Sequence, residues 1–207
     1  KIILGLSAAG CAVTARQYAQ VASLRASAPY EAVRIAPRDA QVLASTIGRR
    51  FQENPEFKPS AGEFANIKAA LATQPLETRL ISVLGLAYDA AGDTERATNI
   101  MQLAARTNRR DVVSGLYLIE TASASGDVRK TLSHYNAILA TQPELYPKLL
   151  PILASAISFP EIRTALRPYL QGSVRWGPPF VAAAAESANA KDLEELLLPL
   201  SSELTRE

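Results

Sequence analysis

The sequence predicts an all-α protein: a short α-solenoid of helix–turn–helix repeats, with an apolar helix at its N-terminus and a capping helix at its C-terminus. Three observations carry this expectation. Short motifs recur at multiples of 34 residues. Alanine is the commonest residue and aromatic residues make up only 6%, a composition that favours closely packed helices over sheets. No segment keeps the strict apolar–polar alternation of a half-buried strand.

The N-terminal element is read first. Lys1 is followed by fourteen uncharged, mostly apolar residues before Arg16. As a helix these reach roughly 21 Å, short of a ~30 Å hydrocarbon core. Three readings stand. In the first, Ile2, Ile3, Leu4, Leu6 and Val13 anchor the chain in a membrane and Lys1 snorkels to its surface. In the second, the stretch is a signal-peptide core and Ala8-Ala9-Gly10-Cys11 resembles a bacterial lipobox. Cys11 would then be the lipidation site, although Ala8 stands where Leu is usual. In the third, it is an Ala/Gly-rich helix buried in a protein core. The anchor reading assigns residues 1–28 to this helix and its extension over Arg16–Ala28.

A short helix is expected near Tyr30–Ile35, then a longer one over Asp39–Gln52. Pro55 and Pro59 break the chain, and Ser60 caps a helix over Ala61–Thr73. Residues 29–75 form a degenerate helical repeat region. The repeats proper span 76–143. Ala72-Thr73-Gln74-Pro75 returns 68 residues on as Ala140-Thr141-Gln142-Pro143, and Gly92-Asp93 returns 34 residues on as Gly126-Asp127. Helices are expected over Glu77–Ala91, Thr94–Thr107, Asp111–Ser125 and Val128–Thr141. Beyond Pro143, residues 144–207 form helical hairpins and the cap: Glu144–Ser158, which Pro147 and Pro151 bend or confine to its later turns, then Pro160–Leu170, Pro178–Ala190 and Lys191–Leu204. The last carries Leu193, Leu196, Leu197, Leu198, Leu200 and Leu204 against Glu194, Glu195 and Glu203, as a terminal cap requires.

The segment Ile81–Ala104 reads I-x-x-L-G-x-x-Y-x-x-x-G-D-x-x-x-A-x-x-x-M-x-x-A and resembles the tetratricopeptide repeat (TPR) family. The resemblance implies a right-handed solenoid. It implies that Gly85 marks the tight crossing of two helices, that Tyr88 fills the gap between neighbouring helices, and that Met101 and Ala104 face the next repeat. The following unit is degenerate, with Ile119 for Gly85 and Thr131 for Ala97. Over residues 66–180 the chain also resembles membrane-anchored proteobacterial envelope proteins with short TPR arrays. The carrying features include Arg109-Arg110-Asp111, His134-Tyr135 and Trp176-Gly177-Pro178-Pro179-Phe180.

Composition narrows the chemistry. Twenty-two basic against twenty acidic residues give a net charge of +2, too little excess for a dedicated nucleic-acid binder. One cysteine and one histidine leave no disulfide and no Cys/His metal cluster, so neither metal nor cofactor is expected. His134 has no carboxylate or thiol at helical spacing and is read as structural. The pairs Arg49-Arg50 and Arg109-Arg110 are read as turn residues that bond helix C-terminal carbonyls. Glu194 and Glu195 point in different directions on a helix and form no acid–base pair.

What remains is a binding groove. The resemblance places the first helix of each repeat along it, giving Arg79, Ser82, Leu86 and Asp89 from one repeat and Val113, Leu116, Glu120 and Ser123 from the next. The resulting expectation is a non-enzymatic TPR scaffold for protein–protein interaction, docked onto or built into a larger bacterial membrane complex. Its partners are expected to be that complex's subunits, together with membrane lipid at the N-terminal helix. The expected location is the bacterial inner membrane, with the repeats in the periplasm. The alternative is a periplasmic lipoprotein or accessory subunit for polysaccharide assembly or export.

Overall fold

The computed structural model describes residues 21–24 and 27–204. The anchor residues Ile2, Ile3, Leu4, Leu6 and Val13, and Cys11, lie outside them. Among the described residues every regular element is helical, and no helix is long and apolar enough to cross a membrane. The chain divides into two compact units, Lys1–Thr107 and Asn108–Glu207. The division falls between the two predicted repeats.

The first unit contains α1 (Pro29–Ile35), α2 (Ala40–Glu53), α3 (Ala61–Thr73), α4 (Thr78–Ala90) and α5 (Thr94–Thr107). Local chemistry starts the helices where the sequence says. Asp39 accepts from the backbone N–H of Gln41 and Val42 at 3.0 and 2.9 Å. Ser60 and Glu63 form a reciprocal capping box. Desolvation works to raise the Glu63 pKa. The hydrogen bonds from the Ser60 N–H and hydroxyl, with the Arg50 guanidinium, outweigh it and hold that carboxyl below its ordinary range. Helix α2 packs on α1, α3 and α4, and α4 packs closely on α5. Leu43, Ile47, Ile67, Leu80 and Val83 form the core between these helices. Val21 packs against Ala32 and Val42. Tyr88 lies edge-on to Phe64, 4.9 Å between ring centres, joining α4 to α3 as a gap-filling residue should.

The second unit contains α6 (Val112–Ala124), α7 (Val128–Thr141), α8 (Tyr146–Ser155), α9 (Pro160–Gln171), α10 (Gly177–Ser187) and α11 (Ala190–Leu204). The contacts pair α6 with α7, α7 with α9, α8 with α10 and α9 with α11. Trp176 and Phe180 are buried at the centre, with Leu139, Ile157, Leu166 and Leu196 around them.

The 34-residue spacing recurs as geometry. At Gly92 and Gly126 the backbone is left-handed, with φ of 84° and 74°. In each turn the following Asp N–H returns to a carbonyl five residues back: Asp93 to Tyr88 at 3.0 Å, and Asp127 to Ala122 at 3.1 Å. The same Asp side chain then caps the next helix, Asp93 at Arg96 N–H and Asp127 at Lys130 N–H. A second turn recurs between hairpins. Glu77 N–H donates to Gln74 C=O, Asp111 to Asn108 and Leu145 to Gln142, at 3.2, 3.0 and 3.1 Å. Alanine in place of Gly92 or Gly126 is expected to lower stability by about 1 kcal/mol. Gly62→Ala, in a helix with nothing within 4 Å of a new Cβ, is expected to raise it by roughly 0.5 kcal/mol. Urea unfolding of the three variants checks both signs.

Several expectations change. The predicted helix Glu144–Ser158 divides into a 3₁₀ turn at Pro143–Leu145, then α8, then a second 3₁₀ turn at Ala156–Ser158. Pro147 sits in the first turn of α8, where its missing N–H removes no bond. Phe159 leaves the helix in an extended conformation because Pro160 follows it. Helix α10 stops at Ser187, and the Asn189 side chain caps Lys191 N–H at 2.9 Å. Met101 closes on the helix crossing of its own hairpin: a Cβ at Gly85 would stand 2.9 Å from its Sδ and Cε. In the second repeat, where Ile119 replaces that glycine, the close approach moves one turn earlier. A Cβ at Gly115 would lie 3.0 Å from Ile138 Cδ1.

Candidate partner-binding surface

Helices α4 and α6 carry the predicted groove residues, four in each unit. On α4, Arg79 and Asp89 are exposed and Leu86 is half-buried. Ser82 is corrected: it is 1% exposed and its hydroxyl donates to Thr78 C=O at 3.2 Å. Its small size serves packing, and it is withdrawn from the contact surface.

On α6 the four positions share one outward face, because spacings of three, four and three residues return to the same side of a helix. Val113 and Leu116 are each 39% exposed, and Glu120 and Ser123 are also exposed. The opposite face buries Ser114, Leu118, Ile119 and Ala122. Helix α6 therefore carries apolar side chains on both faces, and Val113 and Leu116 are exposed on the outward one. This face offers two aliphatic side chains, a carboxylate and a hydroxyl. It can take an apolar side chain flanked by a cation. Leu103, on α5, is 53% exposed and was not among the predicted contacts. Its place on the polar side of an amphipathic helix is the signal that could have found it.

The titratable groups are placed as follows. Among the described residues, no three of His, Cys, Asp and Glu gather as a metal site would require. His134, on α7, is half-buried and its Nε2 has no hydrogen-bond partner. Desolvation by burial, with the Lys130 ammonium adding to it, holds its pKa below the ordinary histidine value against the opposing pull of Asp127. The folded protein thus binds fewer protons here than the unfolded chain. The associated stability is present above about pH 6.5 and is lost as pH falls through the depressed folded value. The melting temperature is expected to drop between pH 7.5 and 5.5, and to drop less in His134→Asn, as a pair of calorimetric series would show.

Arg109 and Arg110 lie in a turn as expected, whereas Arg50 lies within α2, and among the described residues none of these three guanidiniums bonds a helix C-terminal carbonyl. Arg50 pairs with Glu63 and lies over the Phe57 ring, 3.9 Å from its centre. At Arg109-Arg110 the backbone carbonyls are the bonding groups, accepting from the Thr141 hydroxyl at 3.1 Å and the Gln142 amide at 2.5 Å. Glu195 bonds Arg163 at 2.7 Å, while Glu194 is exposed. Arg163 itself, 7% exposed, had no sequence signal, because its partners lie 29 and 32 residues away. On α11, Leu196 is buried, Leu193 and Leu197 are half-buried and Leu198 is exposed.

No protein-family model matches this chain, and neither does any curated protein sequence or any solved structure.

Proposed function

We propose that this protein is a non-enzymatic scaffold of the TPR type, a short right-handed α-solenoid closed by α11, that binds other proteins through the outward faces of α4 and α6. The observation that carries the reading is the α6 face. Two aliphatic side chains stand exposed on a helix whose opposite side is already committed to a core. The turn geometry that repeats every 34 residues supports the family reading. An internal peptide segment or a helix fits the face better than a free C-terminus, since the eight groove positions include no Lys or Asn to clamp a carboxylate.

The apolar stretch before Arg16 extends the proposal to a bacterial inner-membrane anchor that holds the repeats in the periplasm. It raises the effective concentration of the scaffold at a membrane complex. The test is mild-detergent purification of the tagged chain from its native membranes, followed by mass spectrometry of co-purifying chains. The expected result is a stoichiometric set of membrane-complex subunits whose recovery falls about tenfold or more in the Val113→Asp, Leu116→Asp double variant. Unchanged recovery in a folded double variant would exclude this face. Intact mass separates the anchor from the lipoprotein reading: acylation at Cys11 with loss of residues 1–10 would support the accessory-subunit alternative.

A further inference from the structure

Away from the α6 face, the second unit carries a cleft of about 660 Å³ between the first turn of α7 and one side of α9. Its α9 wall follows helical spacing: Glu161, then Thr164 and Ala165, then Pro168 and Tyr169. Nine residues of helix, Glu161 to Tyr169, make this wall roughly 12 Å long, the span of about three to four extended residues. Val128 and Arg129 form the facing wall. Apolar groups from Val128, Ala165, Pro168 and Tyr169 line the floor.

Three features point to a ligand. Arg129 and Glu161 make no hydrogen bond or ion pair among the described residues, so a free cation and a free carboxylate border one apolar floor. Arg129 lies in the first turn of α7, beside the positive end of the helix dipole, where a cation is disfavoured and a bound carboxylate would be stabilised twice over. Pro168 has no N–H, so the usual helical bond to the Thr164 carbonyl is missing from α9 between two residues that line the cleft.

We propose that this cleft binds a short extended peptide segment whose aliphatic side chains sit on the Ala165–Tyr169 floor, with an acidic residue at Arg129 and a basic residue at Glu161. The site is separate from the α6 face and does not depend on the scaffold reading. Trp176 is the chain's single tryptophan and lies 6.4 Å from the Tyr169 ring, so occupancy of the cleft should change its fluorescence.

The test uses the full chain with three blocked tetrapeptides: Asp-Leu-Leu-Lys, Lys-Leu-Leu-Asp and the uncharged Asn-Leu-Leu-Gln. Binding is followed by Trp fluorescence and by calorimetry. One charged peptide is expected to saturate with a Kd at or below about 1 mM. The uncharged peptide should bind on the order of fivefold to tenfold more weakly. Arg129→Glu should remove that advantage, and Ala165→Phe, which fills the floor, should abolish binding. The proposal is overturned if neither charged peptide saturates by about 10 mM, if the uncharged one binds equally well, or if Arg129→Glu binds like the parent. Arg129 is exposed, so its variant decides the matter even where Ala165→Phe does not fold.

Discussion

Replacing Trp176 with alanine is expected to destabilise the second unit by about 3–5 kcal/mol, the largest loss of any single substitution considered for this chain. Trp176 is 1% exposed. It meets Phe180 edge-on, ring centres 6.1 Å apart, and Tyr169 at 6.4 Å. Its Nε1–H donates to Asn136 Oδ1 at 3.0 Å, tying the start of α10 to α7. Alanine would remove the ring, leave a cavity that α7 and α10 can only partly close, and leave the amide oxygen without its donor. Trp176→Phe keeps most of the apolar volume and loses the hydrogen bond, so its cost should be nearer 1–2 kcal/mol. Denaturant unfolding followed by far-ultraviolet circular dichroism, which does not rely on the removed fluorophore, separates the two. Equal losses in Trp176→Phe and Trp176→Ala would mean that the hydrogen bond dominates over packing, contrary to this account.

The second large effect is expected at Arg163. Its guanidinium donates to Ile157 C=O at 2.5 Å, Ser158 C=O at 3.2 Å, Asp192 Oδ1 at 3.0 Å and Glu195 Oε2 at 2.7 Å. One side chain therefore satisfies the carbonyls of the 3₁₀ turn before α9 and holds α11 against it. Arg163→Ala should cost about 3 kcal/mol, because it strands two carbonyls and two carboxylates at once. The carboxylates retain some contact with water, which keeps the loss from being larger. Arg163→Met should recover part of the loss by refilling the space. Hydrogen exchange should report the change first in Ala190–Leu204, whose attachment to the unit depends on this clamp. Protection of α11 equal to that of the parent in Arg163→Ala would show that Leu196 and its apolar neighbours hold the helix alone.

The proposed binding face rests on fewer residues than the fold does. Val113, Leu116, Glu120 and Ser123 were implied by the resemblance to the TPR family; their spacing puts them on one side of a helix, and the structure leaves that side exposed. Ser82 has an equivalent spacing and was misread. Spacing says which side of α4 a residue occupies, but not how deep it lies, and the depth depends on what packs beside it.

Residues near one another in the chain carried most of what the sequence could say. Helix starts followed from Asp39, Ser60, Asp111 and Asp127, each of which bonds an N–H within three residues of itself. Helix ends followed from glycines that alone accept a positive φ cheaply and from prolines that cannot continue a helix. Those interactions are local, so a short window of residues contains both partners. The tertiary structure decided the rest. It chose Gly115 and not Ile119 as the close approach in the second hairpin, because Ile138 needs room there. It turned Met101 inward onto Gly85. It brought Asn136 to Trp176 across 40 residues, and Asp192 and Glu195 to Arg163 across 29 and 32. These pairings depend on shape and charge matching between surfaces that meet only once the helices have packed, and no short stretch of the chain contains both halves.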